Sequence, residues 1–114
     1  MYFTELEIGN EVYKLRLNTR GIVALEKALG YNPLEMLLKI DAGEMPKLTD
    51  VIIVLHSMLQ ALQHGITIDK TYDIFDEYSA SGKTMFDLIP VFIEVFQNCG
   101  FLQTNSAEEE TEKN

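Results

Sequence analysis

TDVIIVLHSMLQALQHG, residues 49–65, is the stretch that decides how this chain folds. It reads as a buried helix. Thr49 suits the N-cap, where a hydroxyl accepts a bond from an orphan backbone N–H of the first turn. Asp50 places negative charge at the positive end of the helix dipole, and Gly65 suits a left-handed C-terminal cap. Between them Val51, Ile52, Leu55, Met58, Leu59 and Leu62 recur at helical spacing and form one wide apolar stripe. Ile53 and Val54 lie off that stripe, so the first two turns are apolar nearly all round. A helix of this kind is covered on more than one side. Its far end (Gln60, Gln63, His64) is too polar, and the run too short, for a bilayer span of ~20 apolar residues. The expectation is the central helix of a small domain.

Upstream, residues 2–17 read as a β-hairpin around Gly9-Asn10, a two-residue turn of the Gly-first kind. Pairing Ile8 with Glu11 sets Leu6 opposite Tyr13, Thr4 opposite Leu15 and Tyr2 opposite Leu17 on one face. The other face then holds Glu5 opposite Lys14, Glu7 opposite Val12 and Phe3 opposite Arg16. A lone hairpin is marginal in water, so its Leu6/Tyr13/Leu15/Leu17 face should pack on helices. Asn18 or Thr19 caps a first helix that turns Ile22, Leu25 and Leu29 inward and Glu26 and Lys27 outward, and that ends at Gly30. Asn32-Pro33 opens a second, short helix, with Glu35 where a capping box wants an acid. Leu34, Leu37, Leu38 and Ile40 are its expected buried face. DAGEMPKL (41–48) is a loop broken by Gly43 and Pro46.

Downstream, Ile66-Thr67-Ile68 is a short extended link and Asp69 caps a fourth helix over 70–80. Tyr72, Phe75 and Tyr78 face in, and Asp73, Asp76 and Glu77 face out. A turn over 79–82 leads to a last helix ending at Gly100. Two starts remain open for it. Thr84 with Asp87 makes a capping box and leaves Pro90 inside the helix as a kink; a start at Asp87 puts Pro90 in the tolerant first turn. TNSAEEETEKN (104–114) is acidic and lacks core residues, which predicts disorder. The fold class is therefore α+β, mainly α: an N-terminal hairpin packed on about five helices, in a single domain over 1–102, followed by a disordered acidic tail over 103–114.

Composition narrows function without naming a chemistry. The net charge of −9 argues against binding a phosphate backbone. One cysteine, Cys99, allows no internal disulfide and fits a reducing compartment. MYFTELEIGN lacks a basic region followed by an apolar run, so no signal peptide is expected and the location is the cytoplasm. His56 and His64 stand about 80° apart around a helix at ~100° per residue, and a helical metal pair wants a spacing of three or four. They read as a packed histidine and a helix-end histidine. Cys99 reads as buried and inert. Asp69, Asp73, Asp76 and Glu77 lack the ligand alternation of a calcium loop and read as a solvated face. Gly82-Lys83-Thr84 ends like a phosphate loop, but Glu77 stands where that motif needs glycine. Catalytic residues, metal ligands and cofactors are therefore all expected to be none.

The last helix is the informative oddity. Met85, Phe86, Leu88, Ile89, Val91, Phe92, Ile93, Val95 and Phe96 leave only Asp87, Glu94, Gln97 and Asn98 as polar positions. Either the hairpin covers the excess, or the excess is a partner surface. The second reading puts Val91, Ile93 or Val95 on a homo-oligomer or client interface.

The hairpin-to-helix passage "L-x-L-x-T-x-x-x-x-x-L-E" (15–26), the joint Gly30-Tyr31-Asn32-Pro33 and the closing Asn98-Cys99-Gly100-Phe101 resemble the tail assembly chaperones of long-tailed bacteriophages and of prophages in Gram-positive bacteria. The resemblance covers roughly residues 2–102. It implies a non-enzymatic role: binding the tape-measure protein and engaging tail tube subunits in the host cytoplasm while the tail is built, with neither nucleic acid nor membrane as partner. In that family a longer product often arises by ribosomal frameshifting, and Glu112-Lys113 is compatible with an adenine run on which a ribosome slips. The alternatives are a structural virion component, such as a head–tail connector, and an acidic inhibitor that imitates DNA.

Overall fold

Gly9 and Asn10 turn the chain back on itself at the tip of a hairpin. Gly9 carries the positive φ (59°) and Asn10 does not, which is the pattern of a type II′ turn. A computed structural model describes residues 3–102. The hairpin consists of β1 (Thr4–Ile8) and β2 (Glu11–Leu15) in the register read from the sequence: Ile8↔Glu11, Glu7↔Val12, Leu6↔Tyr13, Glu5↔Lys14 and Thr4↔Leu15. Leu6, Ile8, Leu15 and Leu17 are buried and Tyr13 packs against them. The expected Glu5–Lys14 charge pair has its partners in register, but the Lys14 ammonium sits 5.0 Å from the centre of the Phe3 ring. The Tyr2–Leu17 pair and the 103–114 tail lie outside the described residues.

Five helices follow: α1 (Thr19–Leu29), α2 (Pro33–Asp41), α3 (Leu48–Gln60), α4 (Ile68–Ala80) and α5 (Met85–Asn98). The fold is thus α+β, mainly α. Helix α3 is the hub and packs against α1, α4, α5 and β2, while α5 and α4 pack on β1. Val51, Ile52, Val54, Leu55, Met58 and Leu59 of α3 are all buried. Phe92 and Phe96 of α5 are the largest fully buried side chains. Each such ring contributes about 1.5–3 kcal/mol on leaving water. Asn98 Nδ2 donates to Thr4 Oγ1 (3.2 Å), which joins the end of α5 to the start of β1.

Several boundaries and faces differ from the sequence reading. Helix α3 starts two residues earlier than a Thr49 cap allows. Lys47 is the N-cap, its carbonyl accepts from the Asp50 and Val51 amides, and no side chain caps the helix. The same helix stops at Gln60 rather than Gly65, and turns follow over 61–65. The Gln63 amide pairs with the Lys14 backbone, and His56 Nε2 lies 2.8 Å from the Ile66 carbonyl. Those bonds tie the turn segment to β2 and to α3. In α2 the buried face is Pro33, Met36, Leu37 and Ile40, a strict i, i+3, i+4, i+7 set. Leu38 lies off it and is 68% exposed, and Met36 takes the buried place.

Helix α4 is capped by Thr67, whose hydroxyl accepts from the Lys70 amide, so Asp69 falls in the first turn. Its inner face is Thr71, Ile74, Phe75 and Tyr78, again at i, i+3, i+4, i+7. Tyr72 faces out. In α5, Thr84 and Asp87 form the capping box and the helix runs on through Pro90. Its end is a Schellman motif. Phe101 N–H donates to Phe96 O, Gly100 N–H donates to Gln97 O, and the Phe96 and Phe101 rings lie 5.6 Å apart.

Candidate interaction surface

The groups that carry chemistry in other proteins are dispersed here. The Ile66 carbonyl can only accept, so His56 presents a ring N–H to it and is held as a structural side chain. His64 is exposed outside any helix. Cys99 is half-buried rather than buried, because it caps α5 at the surface; its thiol donates to the Phe96 carbonyl at 3.3 Å. Asp69, Asp73, Asp76 and Glu77 are exposed along α4. Among the described residues no group of three or more His, Cys, Asp or Glu side chains is placed to hold a metal ion.

Helix α5 spends most of its apolar surface inside the molecule. Leu88, Ile89, Phe92, Val95 and Phe96 are buried, and the hairpin covers part of them through β1. Val95, one of the three residues expected at an interface, is 1% exposed and offers nothing to a partner. Val91 and Ile93 are half-buried at the edge of the core. Phe86 in the first turn is the exposed apolar residue of this helix, at 45%.

Three large exposed apolar side chains fall on the α2–α3 stretch, while Phe3, Val12, Val23 and Tyr72 stand exposed on the hairpin, α1 and α4. The three are Leu38, Met45 (71%) and Leu48 (49%). Tyr31, Met36, Lys39, Glu44, Met45, Pro46, Lys47 and Asp50 line a cleft of about 400 Å³. One bond fixes its floor: the Tyr31 hydroxyl donates to Asp50 Oδ2 at 2.8 Å, tying the α1–α2 joint to the first turn of α3. Partial burial, and then this bond to a carboxylate, push the Tyr31 phenol well above its ordinary range. The cleft sets Met36, Met45 and Pro46 among two ammonium groups (Lys39, Lys47) and two carboxylates (Glu44, Asp50), a mixed lining suited to an amphipathic segment. Sequence reasoning missed this stretch by assigning Leu38 to the core. The legible signal was that Leu38 breaks the 33/36/37/40 spacing.

A family model described as a family of unknown function (DUF6096) matches residues 3–114. The chain belongs to that family. No curated protein and no solved structure matches it. The match takes in the whole described fold of this DUF6096 chain, hairpin and helices together. A second recess of the DUF6096 fold opens where α1 meets the end of α5. Phe3, Leu17, Thr19, Val95 and Cys99 are among the residues lining a cleft of about 300 Å³, and a neighbouring cleft of about 320 Å³ shares Thr19 and Cys99 and adds Ile22, Val23 and Phe101. No helix among the described residues is long and apolar enough to cross a membrane.

Proposed function

We propose that the chain is a non-catalytic tail assembly chaperone of the long-tailed phage kind, working in the host bacterial cytoplasm. It shields an apolar helical stretch of the tape-measure protein and engages tail tube subunits until the tube replaces it. The observation that carries this reading is the α2–α3 stretch, where Leu38, Met45 and Leu48 stand exposed. The passage over 15–26, the Gly30-Tyr31-Asn32-Pro33 joint and the Asn98–Phe101 ending support it by resemblance. A net charge of −9 keeps a complex with an apolar client in solution and favours basic client segments.

The test is co-expression with the tape-measure and tube proteins encoded beside it, followed by affinity capture. The chain should retain the tape-measure protein, and the triple variant Leu38→Ser/Met45→Ser/Leu48→Ser should lose most of it. Exposed positions tolerate such changes within about 0.5 kcal/mol each, so the variant should keep its helical circular dichroism. Failure to retain either protein, or full retention by the variant, would overturn the assignment. Recovery of the chain from purified tails by mass spectrometry would point to a virion component instead.

A further inference from the structure

The two edges of the hairpin are finished differently. A two-residue turn makes Ile8 and Glu11 exchange backbone bonds, and so, every second residue, do Leu6 with Tyr13 and Thr4 with Leu15. The intervening residues point their N–H and C=O groups away from the hairpin. On β2 that outer edge is filled away from the turn, at Lys14 and Arg16. Lys14 N–H donates to Gln63 Oε1 and Gln63 Nε2 donates to Lys14 O, both at 2.8 Å, so the side-chain amide imitates a neighbouring strand. Arg16 N–H then donates to Met58 O at 3.1 Å. On β1 the matching groups belong to Glu5 and Glu7. Among the described residues no hydrogen bond reaches either main chain from outside the hairpin, and both side chains are exposed.

We propose that the outer edge of β1 accepts an extended, basic segment of another protein as a third strand. An open edge supplies main-chain donors and acceptors in register, and the side chains flanking it select the occupant. Glu5 and Glu7 project on the same solvent face. A second copy of β1 paired antiparallel would gather four carboxylates there, and like charges across strands are unfavourable. The β2 edge of a second copy is already occupied at Lys14 by Gln63. A strand with Lys or Arg at alternate positions meets both carboxylates favourably, and Phe3, 38% exposed, offers an apolar rim at the strand's start. This edge is separate from the α2–α3 stretch, so either surface can be lost without the other.

The probe is a synthetic nonapeptide alternating Lys and Thr, compared with a Lys-Pro repeat of equal charge that cannot pair as a strand. Amide exchange is read by NMR on the full chain at low ionic strength. The Lys-Thr peptide should slow exchange of the Glu5 and Glu7 amides at least tenfold and leave Leu6 unchanged. The Lys-Pro peptide should protect neither. Glu5→Lys/Glu7→Lys should weaken binding of the Lys-Thr peptide at least tenfold, and the milder Glu5→Gln/Glu7→Gln serves if the reversal fails to fold. Four results would overturn the proposal: no protection at saturating peptide, equal binding of the Lys-Pro repeat, undiminished affinity in the charge variants, or protection that rises with protein concentration alone, which would mean pairing with a second copy.

Discussion

Tyr31 and Gln63 show how much of this structure is set by single polar side chains reaching across the sequence. Replacing Tyr31 with Phe removes its bond to Asp50 and leaves the ring in place, so the expected cost is about 1 kcal/mol in urea or thermal unfolding. The same residue makes stability depend on alkaline pH. Its phenol ionises above the ordinary value of 10.0 in the folded chain, and burial shifts Tyr13 and Tyr78 in the same direction. A raised folded value means the unfolded chain releases these protons first. Stability is therefore intact below pH 10 and falls as pH climbs beyond it. Urea titrations at stepped pH should show that loss in the wild type and a smaller one in Tyr31→Phe. Gln63 satisfies the backbone of Lys14 and also donates to the Leu59 carbonyl at 2.7 Å. Gln63→Ala should cost about 1–2 kcal/mol and speed hydrogen exchange at the Lys14 amide. None of these contacts was legible beforehand, because pairings 19 and 49 residues apart leave no mark on local periodicity.

At the scale of elements the sequence was a better guide, where periodicity and caps agreed. The hairpin register followed from one turn and an alternating pattern, and every described pair took its expected place. Asn18, Asn32 and Thr84 cap their helices. The misses share a cause. Tyr72 and Leu38 were placed inside because they are large and apolar, although the i, i+3, i+4, i+7 spacing of their helices runs through Thr71 and Met36. Side-chain spacing outweighs residue hydrophobicity on a short helix with a single buried face. Helix α5 resolves the open choice at Pro90 by keeping the proline inside and securing both ends, with a capping box before it and a Schellman motif after it. Pro90 is exposed and its ring supplies no packing. An interior proline costs a helix ~3 kcal/mol, offset by ~0.4–1 kcal/mol through its stiffening of the unfolded chain. Pro90→Ala should therefore raise stability by about 2 kcal/mol, seen as a higher Tm by calorimetry.

For the molecule as a whole, the order of elements is legible in the sequence, and how much of each apolar face is covered is not. Both readings of α5 keep a share: the hairpin and α3 absorb Leu88, Phe92, Val95 and Phe96, while Val91 and Ile93 stay half-buried at its edge. Met45 and Leu48, in a stretch that reads as an ordinary loop, are exposed as well. Burial of α5 depends on how the hairpin docks, and that is a property of the assembled fold rather than of any window of residues.

That docking has a consequence for synthesis. Thr4 waits for Asn98, its hydrogen-bond partner, and β1 packs on α5, which is made long after it. At 5–20 residues per second the intervening 94 residues take on the order of 5–20 seconds to make. Throughout that interval the nascent hairpin carries the greasy side of β1 without its final cover, and the contact closes only when α5 has been made.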